Sequence, residues 1–342
     1  MTERRPPSPS LVVSRFDGMT VDMDYLLNIP SVHAVWGAEE IVLDMSGTVR
    51  SRTSGFPAWQ QRRLAAWVAA HREEVVAAHL ARGHGEPVPR IDPPAEDPEQ
   101  EDRVLEDFLR MPIASPDAVF DRFRSLPGAI EAHGDTKQGY LYIPGSRPDR
   151  CLLAAHADTY FDLAYMGWEL QNEPVLEGGV YRGSAPGASI GADDRSGCAM
   201  LWLLRDMGHS LLIVDGEEHG QIGSRFLMQH DPALFAALNA HSFILQLDRR
   251  GSRDLRFYDL PVTEDFVAFI REQTGFEPVS GPGQTDIVAL CRDVCGVNLS
   301  VGYYGEHRPY ETLVVEEWRH TLHLVRDLLA KPQRRYPLHP DF

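Results

Sequence analysis

Apolar residues recur along the chain in two rhythms. Short runs at 139–143 (GYLYI), 151–155 (CLLAA), 210–215 (SLLIVD), 241–247 (HSFILQL) and 296–302 (GVNLSVG) read as strands. Between them, 196–207, 222–229, 263–274 and 312–330 carry apolar residues at helical spacing. Several strand-like runs are apolar without alternation, which a strand needs when helices cover both faces of a parallel sheet. Strands alternating with helices predict an α/β fold, a three-layer αβα sandwich with a mostly parallel central sheet. Ahead of it, 102–110 and 116–125 read as helices, with Ser115 as cap and Pro116 in the first turn of the second.

The N-terminal part has a different pattern. Residues 31–37 and 40–50 read as short strands, and 57–82 as one long helix with Leu64, Trp67, Val68, Val75, Val76 and Leu80 on its apolar side. The prediction is a small α+β module over 1–83. The stretch 84–101, HGEPVPRIDPPAEDPEQE, is rich in proline and acid and reads as a linker. Residues 102–332 then form the principal domain and 333–342 a C-terminal tail. No internal repeat is visible.

Composition narrows the function classes. Of 342 residues, 43% are hydrophobic and 24% charged, which excludes wholesale disorder. The net charge of −17 argues against a nucleic-acid partner, because a phosphate backbone needs a basic surface. No apolar run reaches the ~18–20 residues that cross a bilayer, so no membrane association is expected. The N-terminal MTERRPPSPSLVV lacks the apolar core of a secretory signal. The four cysteines, Cys151, Cys198, Cys291 and Cys295, are too few for a disulfide scaffold and read as small buried hydrophobes. A soluble, cytoplasmic protein is expected.

Five features sit at the ends of the expected strands, the edge where open α/β sheets bind ligands. His156 and Asp158 follow the strand CLLAA; a neutral imidazole is a metal ligand that a nearby carboxylate can orient. Asp193 and Asp194, in GADDRSG, precede an apolar helix and read either as a helix cap or as a carboxylate bridging two metals. Glu217 and Glu218, in DGEEHG, can supply one carboxylate to bind a metal and another to move protons. Asp248 closes the strand HSFILQL, and His307 lies between a strand and the last helix. Each alone has a bland reading as turn residue or solvated side chain. The order His, Asp, Glu-Glu, Asp, His, always at strand-to-helix junctions, does not.

In this order the sequence resembles the co-catalytic zinc aminopeptidase clan, which includes peptidase T, leucyl-type bacterial aminopeptidases and related deacylases. ADDRSG resembles the clan's ADD-(K/R)-x-G motif, and EEHGQIGS its EE-x-G motif. GQTDIVALC (283–291) resembles the GGTDA segment, and HRPYETL the H-x-x-x-E-T/S-L run around the last metal histidine. The likeness covers roughly 105–330. It implies two Zn²⁺ (with Co²⁺ or Mn²⁺ also suited to the donors), bridged by Asp193. It implies His156 and Glu218 on one metal, Asp248 and His307 on the other, Glu217 as general base, and Asp158 orienting His156. It also implies a cis peptide bond between Asp193 and Asp194.

The likeness has limits. Those branches carry an inserted domain, whereas only 58 residues separate Asp248 from His307 here. The additional module lies at the N-terminus instead, and a homo-oligomer could form through it. Arg249, Arg250, Arg253 and Arg256 read as solvated loop or as a clamp for a substrate carboxylate. The expected function is a metal-dependent amide hydrolase acting on a small peptide or amide substrate, first an aminopeptidase, then a deacylase of N-acyl substrates. A binding protein on this fold is the third reading.

Overall fold

Alternating apolar residues near the N-terminus build an antiparallel meander in the computed structural model, which describes residues 12–16, 19–26, 29–36, 38–56, 58–91, 98–161, 173–185 and 188–339. Its strands are β1 (Val12–Phe16), β2 (Met19–Leu26), β3 (Ile29–Trp36), β4 (Glu39–Asp44) and β5 (Val49–Arg52), paired in that order. Val21, Met23, Val32, Ala34, Ile41 and Leu43 share one face and pack with Leu64, Trp67, Val68 and Val75 of α1 (Ala58–Ala70) and α2 (Arg72–Gly83). This follows from the period of two along a strand and about 3.6 along a helix.

Several local expectations change here. β1 and β2 add to the expected strands: Ser14 and Arg15 break the apolar run of β1, and Asp22 and Asp24 interrupt that of β2. The single strand expected over 40–50 is β4, a turn and β5; Asp44 Oδ1 accepts from the Ser46 and Thr48 amides at 2.8 and 3.0 Å, which reverses the chain. The helix expected over 57–82 is two helices broken at His71 (φ −109°, ψ 31°), with no Gly or Pro to mark the break. The linker reading of 84–101 also changes at both ends. The Ile91 amide donates to Val13 O at 2.8 Å and its side chain joins the N-terminal core, while α3 (Pro98–Leu109) already starts at Pro98.

The chain divides into two units, Met1–Asp97 with Ala330–Pro332, and Pro98–Leu329 with Gln333–Phe342. After α3 and α4 (Asp117–Arg124) the second unit contributes β6 (Ile130–His133), β7 (Gly139–Ile143), β8 (Leu152–His156), β9 (Pro174–Glu177) and β10 (Val180–Gly183). Next come α5 (Ala192–Leu204), β11 (Ser210–Val214), α6 (Ile222–His230), α7 (Pro232–Leu238), β12 (Ile244–Arg249) and β13 (Asp254–Arg256). The chain continues through α8 (Glu264–Thr274), β14 (Glu277–Pro278), α9 (Asp286–Leu290) and β15 (Gly296–Ser300). It closes with β16 (Tyr303–Tyr304), β17 (Thr312–Val314) and α10 (Val315–Ala330).

The large sheet has the order β14-β13-β15-β12-β8-β11-β7-β6. Its middle, β15-β12-β8-β11, is parallel, while β6, β7 and β13 join antiparallel. One face, with Tyr140, Leu152, Ala154, Leu212 and Ile244, packs on Leu227 of α6, Leu238 of α7 and Ile287 and Leu290 of α9. Since strand residues alternate, Leu141, Leu153, Leu211 and Leu245 face the other way; α5 packs on β8 and β12. The architecture is the expected αβα sandwich with a smaller N-terminal module. A second small sheet, β16-β17-β10-β9, carries the loop with His307.

Residues read as a tail pack along the large sheet. The Tyr336 amide donates to Ser242 O and the Cys295 amide to Tyr336 O, both at 2.8 Å, just before β12 and β15 begin. The ring of Tyr336 stacks on Phe269 at 5.0 Å. All four cysteines are buried and unpaired. No helix among the described residues is long and apolar enough to cross a membrane.

Trp67 is 1% exposed at the centre of the N-terminal core. Trp67→Ala is expected to destabilise this unit by about 3–5 kcal/mol, read as a lower denaturant midpoint of its unfolding transition.

Candidate metal centre

The three neighbouring parallel strands β12, β8 and β11 end side by side, and each delivers part of the site. β8 ends on His156, level with Val214 of β11. Beyond β11 the chain turns at Gly216 (φ +72°) into Glu217 and Glu218. β12 carries Asp248. Asp193 and Asp194 lie in the first turn of α5 with non-helical dihedrals, joined by a cis peptide bond. Gly197 lets α5 come down onto β12, since a Cβ there would sit 2.0 Å from Leu247 O.

The geometry brings the candidate ligands together. His156 Nε2 lies 3.1 Å from Asp193 Oδ1 and 3.3 Å from Asp248 Oδ1. His307 Nε2 lies 3.4 Å from Asp193 Oδ2 and 2.8 Å from Glu218 Oε2. Asp193 thus turns one oxygen toward each histidine. The direct contacts pair His156 with Asp248 and His307 with Glu218, the reverse of the sharing that the resemblance implies. The reason is topological: His156 and Asp248 end adjacent strands, while His307 comes in on the opposite loop beside Glu218. Donor atoms of His156, Asp193 and Glu218 also lie within 4.8 Å of one another, as do those of His156, Asp194 and Asp248.

The two acids of ADD divide the roles between which the sequence left a choice. Asp194 acts on the backbone, its Oδ1 accepting from the Gly197 amide at 3.0 Å and its Oδ2 from the His156 amide at 3.2 Å. Asp193 faces the histidines. Asp158 lies beneath: His156 Nδ1 is 3.0 Å from its carbonyl oxygen, and its carboxylate accepts from the Glu217 and Glu218 amides at 3.2 and 3.3 Å. Asp158, through its carbonyl oxygen and through Oδ1, which lies 3.3 Å from His156 Nδ1, thus ties the imidazole to the Glu217–Glu218 turn.

Residues that the sequence did not single out complete the surroundings. Asp248 Oδ2 accepts from Gln246 Nε2 at 2.8 Å and Thr285 Oγ1 at 3.0 Å, and Tyr303 donates to Oδ1 at 3.3 Å. Asn298 brackets the Asp248 main chain. Glu311 binds the turn before α5. Thr285 and Glu311 fall inside the motif-like runs and were traceable there; Gln246, Asn298 and Tyr303 read as ordinary strand residues. Tyr160 stacks on the His307 ring at 4.7 Å, with 14° between the planes. The arginines after Asp248 are largely engaged: Arg249 pairs with Asp254, Arg250 with Glu306, and Arg256 donates to Gly281 and Pro282 carbonyls.

The electrostatics suit a cation. Burial pushes Glu217 well above the usual carboxylate range, Asp248 adding to it against His156. Burial lifts Glu218 to about 7, with Asp193 adding and His307 opposing. Burial opposes protonation of both histidines, yet the facing carboxylates raise His156 well above its ordinary value and His307 to about 11. Glu218 Oε1 is buried with no hydrogen-bond partner. An orphaned carboxylate oxygen among clustered acids is costly unless a positive charge meets it. Two imidazoles and three carboxylates, with no sulfur, form a donor set that fits zinc or a similar divalent ion.

No family model matches the sequence, and no curated protein matches it. Solved structures do. The chain is similar to the aminopeptidase PepT of Bacillus cereus, at 14% identity and a TM-score of 0.48 over 68% of this chain and 98% of that one. A tripeptidase of Staphylococcus aureus matches at 10% identity and a TM-score of 0.49, over 68% and 99%. An aminopeptidase of the archaeon Desulfurococcus kamchatkensis matches at 14% identity and a TM-score of 0.49, over 70% and 96%.

Without metal, the folded chain holds protons that the unfolded chain releases. Stability from Glu218 is greatest below its ordinary 4.5 and falls as pH rises to about 7; that from His307 is full below 6.5 and falls through about 11. Asp193, held low by the two histidines against the effect of burial, gives the opposite slope only in the acid range. The melting temperature of chelator-treated protein is therefore expected to fall from about pH 7 to about pH 10, above the range in which His209 and His241, lowered by burial to about 3 and about 4, give the opposite slope, and zinc to displace protons on binding. Calorimetry showing a flat or rising profile would contradict this account.

Proposed function

We propose that the unit from Pro98 onward is a metal-dependent hydrolase that cleaves an amide bond with a dinuclear zinc site, acting as an aminopeptidase on short peptides. The observation that carries this reading is Asp193, whose two oxygens face two separate histidine–carboxylate pairs. His156 and Asp248 would hold one ion and His307 and Glu218 the other, with Asp193 shared. Co²⁺ or Mn²⁺ would also suit these donors. The four buried thiols accord with a reducing, cytoplasmic setting.

Bound there, two divalent ions would polarise the scissile carbonyl and acidify the attacking water. The chain's own groups do the rest. Glu217 is buried beside the ligands, and its raised affinity for protons equips it to take one from the water and return it to the leaving amine. Asp158 fixes the His156 ring, so the imidazole presents Nε2 to the centre. Burial of His156, Asp193 and Glu217 keeps bulk water from screening these charges.

Glu217→Gln is expected to lower kcat by about 10²–10⁴-fold while metal content stays unchanged. Zinc-loaded protein incubated with a peptide library should release N-terminal amino acids, chelation should stop this, and zinc should restore it. Full activity in Glu217→Gln would refute the role of that residue. Turnover of N-acylated amino acids but not of free-amine peptides would make the protein a deacylase with the same centre. Less than one ion per chain, with no rescue by zinc, would favour a binding function.

A further inference from the structure

Glu311 does not face the histidines, yet it touches the turn that supplies the shared ligand. The residue is 1% exposed. Its Oε1 accepts from the Asp193 amide at 3.0 Å, and its Oε2 from the Ala192 amide at 3.0 Å and Ser189 Oγ at 2.9 Å. Both oxygens are thus used on the segment leading into Asp193. Glu311 also belongs to the loop that carries His307, just before β17.

The two halves of the centre are held differently. His156 and Asp248 extend from neighbouring strands; Asp158 fixes the first, and Gln246, Thr285 and Tyr303 fix the second. The His307 side chain is 42% exposed, its backbone is left-handed at φ +59°, and its ring stacks on Tyr160. A histidine in that conformation carries strain, which the surrounding structure must offset. Among the described residues, the Glu311 carboxylate is a buried contact that ties this loop to the Asp193 turn.

We propose that Glu311 is a positioning residue that locks the His307 loop to the Asp193 turn, so that the ion held by His307 and Glu218 depends on it more than the ion held by His156 and Asp248. This rests on the dinuclear reading above. Residues that orient metal ligands typically contribute about 10–100-fold in metal affinity. Glu311→Gln keeps the shape but replaces one acceptor oxygen with an amide nitrogen that faces N–H donors. Glu311→Ala removes the lock.

The test is zinc stoichiometry and affinity by chelator competition on the full chain, with circular dichroism as a check on folding. Wild type is expected to bind two ions. Both variants should bind one ion as tightly as wild type and the second about 10–100-fold more weakly. If Glu311→Ala does not fold, the isosteric Glu311→Gln decides. Two ions at wild-type affinity in Glu311→Gln, or equal weakening of both, would overturn the proposal. Fewer than two ions in wild type would remove the dinuclear reading and this inference together. Two ions without peptide turnover would refute the activity alone and leave the positioning role standing.

Discussion

Carboxyl groups crowd around the ends of three neighbouring parallel strands, and their mutual repulsion is the constraint on which the site depends. Asp158, Asp193, Asp194, Glu217, Glu218 and Asp248 are all shielded from water, and desolvating each ionised group costs several kcal/mol. The structure answers with different devices. Backbone amides meet Asp158 and Asp194. Side-chain donors meet Asp248. Histidines meet Asp193 and Glu218. What remains is the orphaned Glu218 Oε1 and a Glu217 that favours its proton. These two are the groups of the cluster that their neighbours leave least compensated as ions.

Much of this was legible in the sequence for a physical reason. A parallel strand covered on both faces must be apolar throughout, so β8, β11 and β12 stand out, and the polar residues that end them are conspicuous. His156, Glu217, Glu218 and Asp248 were found in that way. Asp193 and His307 needed the motif order, since an acid before a helix and a histidine in a loop have everyday uses. Which acid stands beside which histidine was not legible, because it depends on which strands are neighbours. Strand order β12-β8-β11 puts Asp248 beside His156, and nothing in the linear order of the motifs says so.

The supporting residues were harder to see. Gln246 and Asn298 sit within buried strands, where a polar residue is usually read as a satisfied exception. Their amides pin Asp248 from the side and from the main chain. The N-terminal meander was half visible for the opposite reason. β2 alternates Met19, Val21 and Met23 with Thr20, Asp22 and Asp24, and β1 is a five-residue run broken by Ser14 and Arg15, so each is a weak signal until the sheet is assembled. The Pro- and acid-rich stretch misled because Val88 and Ile91 are few among polar neighbours, yet both pack on the N-terminal core.

The packing of Tyr336 bears on the order in which this protein can be completed during synthesis. The residues just ahead of β12 and β15 hydrogen-bond to its main chain, although both strands leave the ribosome long before it does. Until Tyr336 emerges, those backbone groups lack their native partners at the start of two central strands. Exposed strand backbone of this kind invites wrong pairing. Docking of Tyr336 is therefore a late event in vectorial folding, and a chain stalled before that residue would leave the sheet without one of its seams.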